Sequence, residues 1–422
     1  MLTRLLISGL FLVAATASAA DHWPEFRGPH GDGTADATGL PLTWSETKNV
    51  RWKTAIHDKG WSSPVVWGDQ VWLTTATVKG DKVYAVALDR KTGQVIHDVL
   101  IFEVNRPDPK DPFHEWEKFN SYASPTPCIE EGRVYVHYGV SGTACLDTAT
   151  GKILWTRSDL ECNHHRGAGS SPILFEDLVV LTFDGFDVQY LVALNKKTGK
   201  TVWQRDRKFH PKEKNGDLKK AYATPLIINV KGKPMLVSPS ADATAAYDPK
   251  TGEELWRVVH GGMNASLRPV FGQGKLFTGG SDGGQLLVAI RPDGHGDVTK
   301  THIAWTFNKG APNRSSILIV GDKLFMVNEG GHATCVDATT GKELKKVRFD
   351  SVRKVTASPI AAEEKWYTFD EDGNGFVVSA DADLTVLAVN KLAGGCKASP
   401  AAVGHSLFVR TLTHLYCLEE MK

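Results

Sequence analysis

Long apolar runs are almost missing from this 422-residue chain. The one run near the start, Leu5 to Ala15, is shorter than the ~20 residues that a helix needs to cross a bilayer. Met1-Leu-Thr-Arg4 precedes it and small residues follow up to Ala20, the layout of a secretory signal peptide. Residues 1–20 are therefore expected to be removed after Ala17-Ser18-Ala19 or Ser18-Ala19-Ala20, leaving Asp21 near the start of the mature chain. No cysteine lies near that point, which argues against a lipid anchor, and a periplasmic or secreted protein without a membrane span is expected. An excess of one charge is lacking too. Lys and Arg total 49 against 48 Asp and Glu, a net charge of +1, so nothing draws the chain as a whole to nucleic acid. Cysteine is scarce, six in all, and no C-x-x-C-H occurs, which excludes a covalently attached c-type haem. The Gly-rich Gly167-Ala-Gly-Ser-Ser171 has neither the lysine of a phosphate loop nor the G-x-S-x-G of a hydrolase elbow. No catalytic triad can be assembled.

What the chain does have is repetition. Ser170 to Trp203 reads as four short strands separated by turns at Glu176-Asp177, Asp184-Gly185 and Thr198-Gly199, an antiparallel meander. Such a unit cannot bury both faces alone, so copies must stack. Its opening signal, a small residue then Pro, recurs at Ser63-Pro64, Ser124-Pro125, Ser171-Pro172, Thr224-Pro225, Ser358-Pro359 and Ser399-Pro400, with degenerate copies at Arg268-Pro269 and Ser315-Ser316. The closing signal, Asp or Asn then Thr-Gly and often Trp, runs Asp89 to His97, Asp147 to Trp155, Asn195 to Trp203 and Asp248 to Trp256. Asp337 to Lys345 repeats it without the Trp, and Trp305 closes a unit after a distorted turn. Four strands at a period of roughly 40–60 residues means propeller blades around a channel. The eighth unit lacks its last strand, whereas Asn49 to Thr54 carries a blade-closing Trp52 with no blade before it. The sequence thus predicts an all-β, eight-bladed propeller over residues 49–422, its ring closed by the N-terminal strand, with residues 21–48 as an irregular arm.

The repeated A-L-D-x-x-T-G-K-x-x-W pattern resembles the pyrroloquinoline-quinone-type β-propeller repeat family over roughly residues 49–420. The resemblance implies the propeller fold. It spans quinoprotein dehydrogenases and also propellers without a cofactor, among them the outer-membrane-assembly propeller lipoprotein. Trp23-Pro-Glu-Phe-Arg-Gly-Pro-His-Gly-Asp-Gly33 is similar to the start of exported bacterial propellers. A quinoprotein dehydrogenase is expected to show a vicinal Cys-Cys, calcium ligands and a catalytic carboxylate around a stacking Trp. Cys-Cys is absent, and none of that active site can be carried onto residues here.

Three motifs compete with blander explanations. Asp370 to Asp381 has calcium-loop spacing, with Asp370, Asp372, Asn374 and Asp381 as candidate ligands. Val378 offers no oxygen at the ninth position, and the repeat places a hairpin turn there instead. His164-His165 has no identifiable third ligand. Cys145, Cys335 and Cys417 occupy third-strand positions where other units have Ala, and so read as small buried residues. Cys162 and Cys396 sit in loops and could bridge if their blades approached.

In a four-strand blade the turn before the first strand shares one face with the turn between the second and third. The longest insertions, Glu103 to Asn120 and Arg205 to Ala221, emerge on that face, where function usually resides on a rigid scaffold. Three places before each Pro stand Trp61, Tyr122, Gly169, Tyr222, Ser266, Asn313, Thr356 and Lys397. His165, Arg166, Lys220, Asn264, Arg268, Arg314, Arg353 and Lys354 are nearby, and no carboxylate is in the set. The expected binding residues at the channel mouth are Trp61, Tyr122, His165, Arg166, Tyr222, Asn264, Arg268, Asn313, Arg314, Lys354 and Lys397. Such a mouth suits an anionic or aromatic partner. The expectation is a monomeric, non-catalytic scaffold for a protein or envelope polymer, requiring no cofactor. The alternative is a dehydrogenase using pyrroloquinoline quinone (PQQ) and calcium.

Overall fold

A computed structural model describes residues 22–105, 120–207, 209, 214–280, 282 and 286–421. The expected signal peptide and most of the Glu103 to Asn120 insertion lie outside the described residues. Eight antiparallel sheets follow one another, at 65–103, 128–157, 173–206, 226–259, 270–307, 318–348, 360–391 and 401–418. We number them as blades 1 to 8. The last has three strands of its own and takes Val50–Ala55 as its fourth, Trp52 facing Cys417. The ring is closed by the N-terminal strand, as the repeat arithmetic requires.

Two contacts, repeated around the ring, join one blade to the next. The outer one explains the closing signal. Asp89 Oδ1 accepts from Lys91 N, Thr92 N and the Thr92 hydroxyl, which folds the turn. Gly93 completes it at φ 73°, and the Trp52 indole of blade 8 lies on it while donating to Arg90 O at 2.9 Å. Trp155 docks on blade 3 through Lys196 O, Trp203 on blade 4 through Pro249 O, and Trp305 on blade 6 through Ala338 O. A Cβ on Gly93 or Gly199 would come within about 2.7 Å of the neighbouring indole, so only glycine fits there. The residue opposite each indole is small: Cys145 for Trp155, Ala193 for Trp203, Ala246 for Trp256. All six cysteines are buried free thiols. Cys162 and Cys396 lie in different core clusters, so the bridge considered above does not form.

The inner contact is a girdle of hydroxyls. At seven of the eight junctions the backbone N–H at a blade's opening position donates to the hydroxyl at the same position of the next blade. The chain of bonds runs Ser63 to Thr126 to Ser171 to Thr224, then Arg268 to Ser316 to Ser358 to Ser399 and back to Ser63, at 2.9–3.1 Å. It corrects the repeat alignment twice. In blade 2 the opening position is Thr126-Pro127, just before the Cys128–Glu130 strand, and not Ser124-Pro125 two residues earlier. In blade 6 Ser316 supplies the hydroxyl and Ile317 stands in the proline slot, ahead of Leu318–Val320.

The arm crosses the bore on the far side of this girdle. His22–Trp23 pairs with the inner strand of blade 1, and Thr34–Ala35 with that of blade 7. Between them Pro24 O accepts from Ile129 N at 2.8 Å. The buried Arg27 guanidinium donates to Pro359 O at 3.1 Å and Ile317 O at 2.5 Å. The arm thus touches blades 1, 2, 6 and 7 in under fifteen residues.

His137 and His164 are buried beside Phe183, where blades 2 and 3 meet. Burial pushes their imidazoles down from 6.5, to about 3 and about 4. The unfolded chain takes up these protons near pH 6.5 while the folded chain resists. Their contribution to stability is therefore complete above about pH 6.5 and declines as pH falls toward 4. A His137→Gln/His164→Gln double variant is expected to lose less of its urea midpoint than the parent between pH 7.5 and 5; equal losses would contradict the assignment. For the ring itself, Trp52→Ala removes a docked indole at the closure and is expected to cost about 3–5 kcal/mol. Urea denaturation checks this, an unchanged midpoint counting against closure as a source of stability.

Candidate functional site

Above the girdle the bore widens into a funnel of about 410 Å³. It is lined by the residues that lead into the first strands and by the turns between second and third strands. Trp61, Arg166, Tyr222, Asn264, Asn313, Arg314, Lys354 and Lys397, all expected at the mouth, line it together. Phe26 of the arm lies at its inner end.

Three expected residues do not line it. Tyr122 lies over the turn at Gly80, where a Cβ would meet its ring at about 2.3 Å. Asn120 lines the funnel instead, its amide donating to Arg166 O and Ala168 O. His165 lies tilted against Phe186 with 4.3 Å between centroids, and the buried Lys220 sits over the same ring while paired with Asp217. Arg268 is the third correction. It occupies the girdle position itself, so its side chain points down the bore, where it is 1% exposed. There it bonds Glu25 Oε1 at 2.6 Å, the Phe26 carbonyl, and Pro225 O at 3.1 Å. It fastens the arm.

Carboxylates, absent from the expected set, are present. Glu371 follows the second strand of blade 7 and lies 3.4 Å from both Lys354 Nζ and Lys397 Nζ. Asp282, from the corresponding turn of blade 5, accepts from Asn264 Nδ2 at 2.8 Å. Reading the second-to-third turns with the same care as the lead-in residues would have found both. Lys397 Nζ lies 4.2 Å from the centre of the Trp61 ring, and Lys59 Nζ 5.6 Å from it. Burial lowers the Lys397 pKa, with Glu371 acting against that shift.

Several polar groups on the wall have no hydrogen-bond partner among the described residues: Tyr222 Oη, Asn313 Oδ1, Trp61 Nε1 and Thr356 Oγ1. Burial raises the Tyr222 pKa, so this phenol is neutral. The Arg314 guanidinium has no partner among the described residues, while Arg353 points away from the funnel to Asp372 at 3.4 Å and is largely exposed. The site is a rigid cationic pocket with unmet hydrogen-bonding capacity.

The calcium-loop candidate resolves into a turn. Asp370 is fully buried and accepts from Asp372 N, Asn374 N and Asn374 Nδ2, which closes the hairpin between Lys365–Phe369 and Asn374–Ser379. Asp381 lies past the far end of that second strand, about 20 Å away at a strand's rise, and bonds Ser379 and Asp383. The four oxygens do not converge. Among the described residues no group of three or more His, Cys, Asp or Glu could hold a metal ion.

Comparison with known proteins places the chain among propellers of two kinds. It is 28% identical over 288 residues to a quinoprotein ethanol dehydrogenase of Pseudomonas putida, covering 60% of this chain but 42% of that protein. The chain therefore spans less than half the length of that relative. It is 22% identical over 256 residues to the outer membrane protein assembly factor BamB of Shewanella oneidensis, 57% of this chain and 60% of that one. The quinohemoprotein alcohol dehydrogenase structure of Comamonas testosteroni shares the fold with a TM-score of 0.69 at 12% identity, over 97% of this chain and 82% of its own. A family model described as outer membrane protein assembly factor BamB matches residues 114–233 and 240–344. With more than half its length so matched and its eight blades in place, the chain belongs to this family of PQQ-like repeat propellers.

Proposed function

We propose that this protein is an exported, non-catalytic propeller that acts as a monomer in the periplasm or outside the cell. It holds a partner protein or envelope polymer at the mouth of its funnel. The observation that carries this is the balance of charge on the wall. Arg166, Arg314, Lys354 and Lys397 face two carboxylates, and both of those are already engaged, Glu371 by two lysines and Asp282 by an amide. A carboxylate held between two ammonium groups is a poor general base. The surplus charge is positive, which favours an anionic partner. The match to the assembly-factor family supports a protein partner.

The dehydrogenase relative raises a second reading, in which PQQ and calcium bind in the same funnel. The cations would suit the carboxylates of such a quinone. The metal is a poorer fit: its ligands would have to come from Glu371 and Asp282, which lie on blades 7 and 5 with their oxygens turned to lysine and asparagine. No step is derived through that cofactor. Incubating the protein with PQQ and Ca²⁺ and following dye reduction with alcohols or sugars separates the two readings. No quinone-dependent turnover is expected, and turnover would overturn the scaffold assignment. Partner retention from envelope extract is expected to fall steeply as salt rises above about 0.15 M, where the screening length is ~8 Å. It should also fall in an Arg314→Ala variant, which removes a guanidinium with no partner among the described residues and is expected to melt no lower than the parent.

A further inference from the structure

The funnel is closed at its inner end. Phe26 contributes to its wall there, and the arm that carries Phe26 is bonded across the bore from blade 1 to blade 7. Arg268 clamps this segment from blade 5 through Glu25 and the Phe26 carbonyl. A polymer cannot be threaded through such a bore. Whatever enters must present an end. A volume of about 410 Å³ holds a few residues at most.

The wall says which kind of end. Arg314 offers a planar guanidinium with no partner among the described residues, the group best shaped for a carboxylate. Next to it in sequence, Asn313 Oδ1 is an acceptor without a donor, while Asn313 N is satisfied by Glu329 at 2.9 Å. A carboxylate together with a nearby N–H donor completes both. A stacking platform for a sugar is not on offer at Trp61, because Lys397 lies over that ring at 4.2 Å. The apolar surface that remains, at Phe26 and the rim of Trp61, suits a side chain.

We propose that the funnel is a receptor for the C-terminal end of a polypeptide. The terminal carboxylate pairs with Arg314, an adjacent backbone N–H donates to Asn313 Oδ1, and the last side chain lies toward Phe26. This rests on the scaffold reading and makes it specific: the partner is a protein, and it is gripped by its end rather than by an acidic stretch.

The test uses the full-length protein and N-terminally fluorescein-labelled heptapeptides of mixed sequence, each made as a free acid and as a C-terminal amide, with binding read by anisotropy. Free acids are expected to bind about 10-fold or more tightly than amides, the scale of one charge-assisted hydrogen-bonded contact. In Arg314→Gln, with an unchanged melting temperature, the ratio should fall to about one. Amidated peptides with internal aspartates should not compete. Phe26→Trp, which shortens the funnel, should weaken the free acids, whereas binding on the outer rim would not respond. Equal binding of acids and amides, or no binding of free acids, overturns the proposal. If a uronate oligosaccharide binds through Arg314 and the peptides do not, the peptide assignment fails while the scaffold reading stands. Quinone-dependent turnover would remove both.

Discussion

At four of the eight junctions an indole lying on the glycine turn of the next sheet holds this ring together. A four-stranded sheet leaves one or both faces wet when alone, and stacking sheets like pages solves that only if neighbours are set at one repeated spacing. Trp52, Trp155, Trp203 and Trp305 set it, each with its ring on the neighbouring turn and its N–H on a carbonyl there. The exception is informative. Trp256 has no Thr-Gly turn to meet, because blade 5 carries a longer connection at 291–302, and its Nε1 is left without a partner. A piece of that connection, Gly296–Asp297, pairs alongside the Glu254–Val259 strand and covers the edge that other blades leave open.

Toward the axis the contact changes character. At seven junctions the girdle uses one hydroxyl and one N–H, which brings the inner strands of the blades close together without large side chains filling the bore. Where a blade departs from that scheme, the departure reaches into the bore. Arg268 replaces a hydroxyl, and its long side chain reaches the arm that closes the channel. The scaffold thus fixes the depth of the funnel, while the lead-in residues and second-to-third turns fix its charge. Glu371 between Lys354 and Lys397, with Lys397 on Trp61, shows how tightly these are interlocked.

Blade number and ring closure were legible because the turn and its indole are read locally, from Asp89 to His97 or Asn195 to Trp203, without knowing what lies across the channel. Errors arose where a local signal had a near twin. Ser124-Pro125 precedes Thr126-Pro127 by two residues, and only the strand starting at Cys128 tells which one joins the girdle. The corrected register puts Ser124 three places before the proline, so neither register points to Asn120, the blade 2 residue that lines the wall. Arg268 failed for a different reason: its position in the repeat was right, but a residue's direction depends on whether it stands on the girdle or above it. Asp282, Glu371 and Phe26 were invisible to a search confined to the lead-in segments, since what brings them together is the circle itself.

The closing pair, Val50–Ala55 against His414–Leu418, joins residues more than 350 positions apart in the chain. During synthesis this strand is made long before its partner and pairs with it last. Loop closure over such a distance costs only a few kcal/mol, because the penalty grows with the logarithm of length. The delay is a matter of time rather than energy. Until blade 8 has formed, this strand has no partner to pair with, although the arm before it can already bond to blades 1, 2, 6 and 7. This early strand is therefore among the last to become structure, and a chain cut short before His414–Leu418 loses its closure.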